Sequence, residues 1–241
     1  MLRALFFAVC LACGSSEPAP QHVEIAQPLP TVSVTASASA PVVQVASSQI
    51  DDARDLRRLT PRSRALVVTE TQALENLAAT TAMNSPDRPA LLRRLAENYV
   101  ELRRTGAQGA STKAIQHYTA LVTSYPSYAQ IDEVYYYLGL EYELTNDLSN
   151  ARRTYYELIK RSAGSKYVPY AYYAFGEIFL AEAKSDPSKW DLARQAYTEV
   201  IKFSSPLQSV AYCRLGAVSE AQGDAKTAAT WRTRAGATCG N

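Results

Sequence analysis

Apolar and small residues return along this chain at intervals of three and four, and the runs they form share a longer repeated phrase. Tyr135, Leu138, Gly139 and Tyr142 are followed, beyond Asp147, by Ala151 and Tyr155, and later Tyr212, Leu215 and Gly216 are followed, beyond Asp224, by Ala228. Each run reads as an amphipathic helix. The short polar breaks between runs turn the chain back, so consecutive helices are expected to be antiparallel neighbours.

From Pro89 onward the chain can be cut into four such pairs. In the first, Leu95, Ala96 and Tyr99 stand where the second has Leu138, Gly139 and Tyr142, and Ala114, Tyr118, Leu121 and Pro126 complete its second helix. The third carries Tyr172, Phe175, Gly176 and Phe179, then Ala193, Tyr197 and Val200, and closes at Pro206. The turns Arg104 to Ser111 and Lys184 to Trp190 are enlarged. The fourth pair keeps Gly223-Asp224 but has Ser219 and Arg232 where aromatics are expected, which suits a terminal repeat whose outer side meets solvent. Ahead of the pairs, Thr60 and Pro61 make an N-cap and first turn. Leu66, Ala73, Leu74 and Leu77 then recur at helical spacing up to the breaker Ser85-Pro86-Asp87-Arg88-Pro89. This predicts one helix, roughly 62–83, that packs on the first pair and caps it.

The phrase is similar to the tetratricopeptide (TPR) repeat. That resemblance implies an all-α fold, a right-handed α-solenoid of about four helix pairs with one preceding helix. It also gives the letters a physical reading. Gly or Ala at the eighth position lets two helices approach, small Ala at the twentieth seats the second helix, and large aromatics fill the space between neighbours. All sixteen tyrosines lie at or after Tyr99, and repeat packing alone accounts for Tyr99, Tyr118, Tyr135, Tyr142, Tyr155, Tyr172, Tyr197 and Tyr212.

In TPR arrays the concave groove is lined by first-helix positions outside the consensus. Carried onto this chain, these are Arg93, Glu97 and Glu101, then Glu133, Tyr136, Leu140 and Glu143, then Tyr170, Tyr173, Glu177 and Leu180. The resemblance thus implies an acidic and aromatic groove, with Glu97, Glu133, Tyr136, Leu140, Glu143, Tyr170, Tyr173 and Glu177 as candidate partner contacts. A peptide carrying Lys or Arg would suit it, each exposed ring adding about 0.5 to 1 kcal/mol of cation-π attraction. The alternative is that the glutamates form a solvated face and the tyrosines pack on a neighbouring helix.

The first residues read as an address. Arg3 supplies a positive start, Ala4 to Leu11 is an apolar run too short to span a bilayer, and small residues follow. Leu11, Ala12 and Cys13 precede Gly14, Ser15 and Ser16, which resembles the bacterial lipoprotein signal, although Cys10 stands where that signal usually has Leu. The resemblance implies diacylation of Cys13, and Gly14 in place of Asp leans toward the outer membrane. A plain secretory peptide is the alternative. Pro18, Pro20, Pro28, Pro30 and Pro41 then punctuate a Pro/Ala/Ser-rich stretch that cannot bury enough apolar surface to fold. As a tether it would reach on the order of 30 Å. The expected organisation is a signal peptide over 1–12, a disordered tether over 13–49, a capping-helix region over 50–88 and the repeat domain over 89–241.

Charge and cysteine usage narrow the classes further. Twenty-five basic and 23 acidic residues leave a formal charge of +2, which argues against a nucleic-acid partner. With Cys10 removed and Cys13 acylated, Cys213 and Cys239 remain, one near the start of the last pair's first helix and the other past the end of its second, ends that antiparallel packing brings together. In an oxidising compartment they are a disulfide candidate. Two free thiols are the other outcome, if one faces the groove and the other the outer side. His22 lies in the tether and His117 on a predicted second helix. Neither has a nucleophile or metal-ligand partner in sequence, and no phosphate loop, paired-Cys motif or nucleophile elbow occurs, so no cofactor or metal is expected.

Tyr125-Pro126-Ser127-Tyr128, Ser165-Lys166-Tyr167-Val168-Pro169-Tyr170-Ala171 and Gly223-Asp224 make the region from Pro89 similar to the TPR lipoproteins of Gram-negative envelopes. That group includes TPR proteins of the β-barrel assembly machine, the Tol-Pal system and the gliding-motility apparatus. The barrel-assembly subunit normally has five repeats and the Tol-Pal protein an N-terminal coiled coil, so neither pattern is matched throughout. The resemblance implies a non-enzymatic adaptor of an envelope complex, anchored by lipid to the outer membrane and facing the periplasm. Soluble periplasmic or inner-membrane-anchored placement are the alternatives. Competing functions are an envelope enzyme acting on cell wall through a glutamate such as Glu97 or Glu177, and a structural lipoprotein with no discrete ligand.

Overall fold

The computed structural model describes residues 62–239 together with Arg54 and Leu56. Cys13, the expected leader and tether, and Thr60-Pro61 lie outside the described residues. The described residues are helical throughout their regular structure. The elements are α1 (Arg64–Thr80), α2 (Arg88–Arg104), α3 (Ala110–Ser124), α4 (Ile131–Leu144), α5 (Leu148–Arg161), α6 (Val168–Glu182), α7 (Lys189–Val200), α8 (Leu207–Ala221) and α9 (Ala225–Ala235), with a final 3-10 turn, Gly236–Cys239.

Local chemistry sets the helix starts. The hydroxyl of Ser63, rather than Thr60, caps α1 by accepting from the Leu66 N–H at 3.3 Å. Asp147 and Asp224 cap α5 and α9, their carboxylates accepting from the N–H groups of Asn150 at 3.2 Å and Thr227 at 3.0 Å. The contact with Thr227 holds the Asp224 carboxyl below its ordinary range. Just ahead of each cap stands a residue with positive φ, Asn146 at 60° and Gly223 at 82°, so the two tight turns share one backbone solution.

Each helix packs on the one before and the one after, and α6 also meets α8. This nearest-neighbour layering is the hallmark of a helical solenoid. The hairpins are α2/α3, α4/α5, α6/α7 and α8/α9, with α1 against α2. The small residues Ala114, Ala151, Ala193 and Ala228 are all buried on the second helices, and Tyr118, Tyr155 and Tyr197 fill the space between helices. In the last hairpin Tyr212 stacks on Trp231 at 5.8 Å, and Arg232 pairs with Glu220 at the open end.

Two glycines show how tightly the hairpins close. A Cβ on Gly176 would sit 2.4 Å from the Tyr197 ring, and one on Gly139 would sit 2.5 Å from the Tyr155 ring. Both rings are fully buried, and both hydroxyls bond to glutamates, so neither can step aside cheaply. At Gly216 the first atom met is Cγ of Arg232 at 3.2 Å, part of a flexible and exposed side chain. Gly176→Ala and Gly139→Ala are therefore expected to destabilise by about 1–3 kcal/mol through overpacking. Gly216→Ala should be neutral or stabilising by up to about 1 kcal/mol, because alanine favours the helix. Urea unfolding of the three variants checks this, and an equal response at all three positions would refute it. Ala96, fully buried on α2 at the corresponding position of the first pair, shows that a hairpin assembled around a Cβ can hold one, which bounds the cost.

Candidate functional site

The first helices of the pairs, α2, α4, α6 and α8, carry the candidate groove residues, and their side chains bridge from one pair to the next. Arg93 on α2 reaches Glu97 at 3.0 Å and Glu133 on α4 at 2.9 Å. Tyr136 on α4 lies 5.9 Å, edge to face, from Tyr170 on α6. Arg214 on α8 reaches back to Glu177 on α6. The eight residues read from the sequence thus share one continuous face. They do not form an open surface.

Burial and pairing close that face. Tyr136 and Tyr173 are 0% exposed, Leu140 4% and Tyr170 5%. Tyr173 packs on Tyr197, and Tyr136 stacks on Tyr167 at 5.1 Å. On α4, every residue from Val134 to Glu141 is buried, so this helix is enclosed on all sides. All four candidate glutamates are ion-paired within the chain: Glu97 and Glu133 with Arg93, Glu143 with Arg54, and Glu177 with Arg214. A cationic ligand would meet carboxylates already neutralised.

Two of these pairs have the same construction. Arg214 donates through Nε to Glu177 Oε1 at 2.7 Å and through Nη2 to Oε2 at 3.0 Å, while the Tyr197 hydroxyl donates to Oε1 at 2.7 Å. Arg54 donates through Nη1 to Glu143 Oε1 at 2.7 Å and through Nη2 to Oε2 at 2.6 Å, and the Tyr155 hydroxyl donates to Oε2 at 3.1 Å. Arg54 Nη2 also lies 3.2 Å from the Tyr155 oxygen, and the Tyr136 hydroxyl donates to the Arg54 carbonyl at 2.6 Å. Each is a bidentate arginine-carboxylate fork supported by the tyrosine that faces the hairpin glycine. Burial, the largest single influence, pushes the Arg54 guanidinium toward the neutral form, but the charge and hydrogen bond of Glu143 together with the Tyr155 and Tyr136 phenols outweigh it, and the net shift is upward. Burial likewise raises the phenols of Tyr136 and Tyr155.

A third cluster joins the start of α1 to α2. Arg62 contacts Glu101 through Nε at 3.0 Å and Nη2 at 2.6 Å, reaches Asn98 Oδ1 at 2.9 Å, and pairs with Glu70, which Arg94 also holds at 2.8 Å. Arg54, Arg62, Arg214 and Tyr167 are the residues that sequence reasoning did not place at this face. Only Arg214 had a signal, a lone charge inside an otherwise apolar run. Elsewhere, His117 stacks on Tyr99 at 5.6 Å, and burial lowers its pKa. Among the described residues no three His, Cys, Asp or Glu side chains gather as a metal site, and no helix is long and apolar enough to cross a membrane. Cys213 and Cys239 are joined as a disulfide, with Cα atoms 5.3 Å apart.

No family model matches the chain, and no curated protein matches it. Solved structures do. A crystal structure of MamA superposes with a TM-score of 0.57 at 19% identity, covering 78% of this chain and 89% of that one. BtubC from P. vanneervenii gives 0.57 at 19% identity, covering 78% of each chain. A Podosopora anserina protein described as a kinesin light chain with nearly identical TPR-like repeats gives 0.53 at 15% identity, covering 78% and 93%. The chain has a TPR-like solenoid fold. At these identities the likeness carries the fold alone. In the solenoid's terms, α2, α4, α6 and α8 are the first helices of four repeats, and the bridged arginine-glutamate-tyrosine face is their shared side.

Proposed function

We propose that this TPR-like solenoid is a non-catalytic protein-interaction scaffold of the bacterial cell envelope, held to the outer membrane by lipid on Cys13 and facing the periplasm. The observation that carries the reading is the four-repeat TPR-like solenoid itself, whose first helices α2, α4, α6 and α8 are bridged one to the next along a shared side. Proteins of this repeat type typically hold other polypeptides, and the polar groups along that side are arginine-glutamate pairs that join one repeat to the next. The leader sequence supports export and acylation, and the Pro-rich stretch supplies reach away from the bilayer.

Crosslinking in intact cells, followed by identification of captured proteins, tests the scaffold. The expected result is a small set of envelope proteins, and capture of none would leave the structural-lipoprotein reading in its place. Fatty-acid labelling of the wild type and of Cys13→Ala tests the anchor separately. Label is expected on the wild type only, and equal labelling of both would end the lipoprotein assignment.

A further inference from the structure

The site around Glu143 is completed by a residue that belongs to none of the repeats. Arg54 comes from 89 positions upstream, ahead of α1, yet its side chain is only 3% exposed and both of its terminal nitrogens meet the Glu143 carboxylate. The matching fork at Glu177 is closed by Arg214, which is fixed on α8. At Glu143 the repeats supply the carboxylate, the Tyr155 hydroxyl and the Tyr136 hydroxyl, and among the described residues the arginine of this fork is Arg54.

These three groups specify what fits. The carboxylate presents two oxygens to a planar fork, which guanidinium satisfies and a lysine ammonium does not. Tyr136 donates to a main-chain carbonyl on the same residue, at 2.6 Å, so the site binds backbone as well as side chain. Leu56, two residues on, packs partly buried against the same core. An arginine followed two positions later by an aliphatic residue meets all of these demands.

We propose that Glu143, Tyr155 and Tyr136 form a recognition site for an arginine-bearing segment of a partner polypeptide, and that Arg54 with Leu56 is its intramolecular occupant. The proposal rests on the scaffold reading and names the chemistry of the partner. A tethered occupant acts at an effective concentration of the order of millimolar, so it masks the site from a weak ligand and yields to a strong or multivalent one. Masking lowers apparent affinity by the fraction of molecules whose site is open.

The test uses the full-length chain and a labelled peptide with the sequence of residues 49–60, read by fluorescence anisotropy. Arg54→Ala protein is expected to bind this peptide at least about tenfold more tightly than wild type, because the competing arginine is gone. Binding should be lost when Glu143→Gln is added to Arg54→Ala, and when the arginine of the peptide equivalent to Arg54 is replaced by alanine. Circular dichroism of each variant reports folding. Arg54→Lys, which keeps the charge without the fork, gives the same comparison with a smaller gain if the alanine variant is unstable. Equal binding to wild type and Arg54→Ala, or binding that survives Glu143→Gln, overturns the proposal. A wild-type dimer in light scattering that Arg54→Ala dissociates would assign the site to a second copy and overturn it too. Peptide failure alongside captured envelope proteins would remove this site and leave the scaffold standing.

Discussion

Glu177→Ala is expected to lower the unfolding free energy by about 3–5 kcal/mol, the range for removing one partner from a buried, hydrogen-bonded ion pair. The Arg214 side chain is 9% exposed, and two of its nitrogens are committed to Glu177. Burial opposes its charge most strongly, and the Glu177 carboxylate together with the Tyr173 and Tyr197 phenols more than offsets that opposition. Without the carboxylate, the buried guanidinium keeps only the Tyr173 hydroxyl beside it, and the Tyr197 hydroxyl loses its acceptor. The loss also falls at the junction of α6 and α8, where one repeat is held to the next. Replacing both partners, as in Glu177→Leu with Arg214→Met, should recover most of the stability, because no orphaned charge remains. The exposed Arg232–Glu220 pair is the contrast. Its side chains are 45% and 42% exposed, and removing it should cost under about 1 kcal/mol. Urea unfolding of the single and double variants decides the matter. A Glu177→Ala loss no larger than the Glu220→Ala loss would show that the buried pair does not hold the repeats together.

The solenoid was legible because its packing rules recur in sequence. Gly139 with Tyr155, and Gly176 with Tyr197, recur because each hairpin solves the same steric problem, and the structure shows the same ring contact in both even though the enlarged turn before α7 lengthens the second interval. The departures of the fourth pair were legible in the same way, with Arg232 lying beside Gly216 where an aromatic ring would otherwise press. What repeat logic does not contain is anything that happens once. Arg54 pairs with Glu143 across 89 positions, and no periodicity relates the two. The expectation of an acidic, open groove followed from knowing which face Glu143 and Tyr136 occupy. What covers that face depends on a segment outside the repeats. The start of α1 was misplaced for a related reason. Thr60-Pro61 and Ser63 are both acceptable caps locally, and the choice goes with Arg62, whose N–H and guanidinium are held by Glu101 on α2.

Removing the Cys213–Cys239 bond is expected to cost about 3 kcal/mol, on the view that a cross-link chiefly restricts the unfolded chain. The two cysteines are 26 positions apart, and their Cα atoms stand 5.3 Å apart in the folded protein. The position of the bond suggests that the loss is local before it is global. The fully buried residues of α9, Ala228 and Ala235, have small side chains, and Trp231 is only partly buried against the core, so this helix rests on one large apolar contact. Beyond it the chain reverses at Gly236, at φ 62°, and the cysteine in the final 3-10 turn ties that end back to α8. In the reduced protein α9 should open at far lower free energy than α4 to α6, which are fixed by buried tyrosines and by the Glu177 pair. Hydrogen exchange with and without reductant reads this directly. Amides of α9 are expected to lose protection by about two orders of magnitude, while those of α4 and α6 change much less. An unchanged exchange pattern, or two free thiols in the mass spectrum of unreduced protein, would show that apolar contacts alone hold the last helix, and Cys213→Ser would then leave the unfolding midpoint where it was.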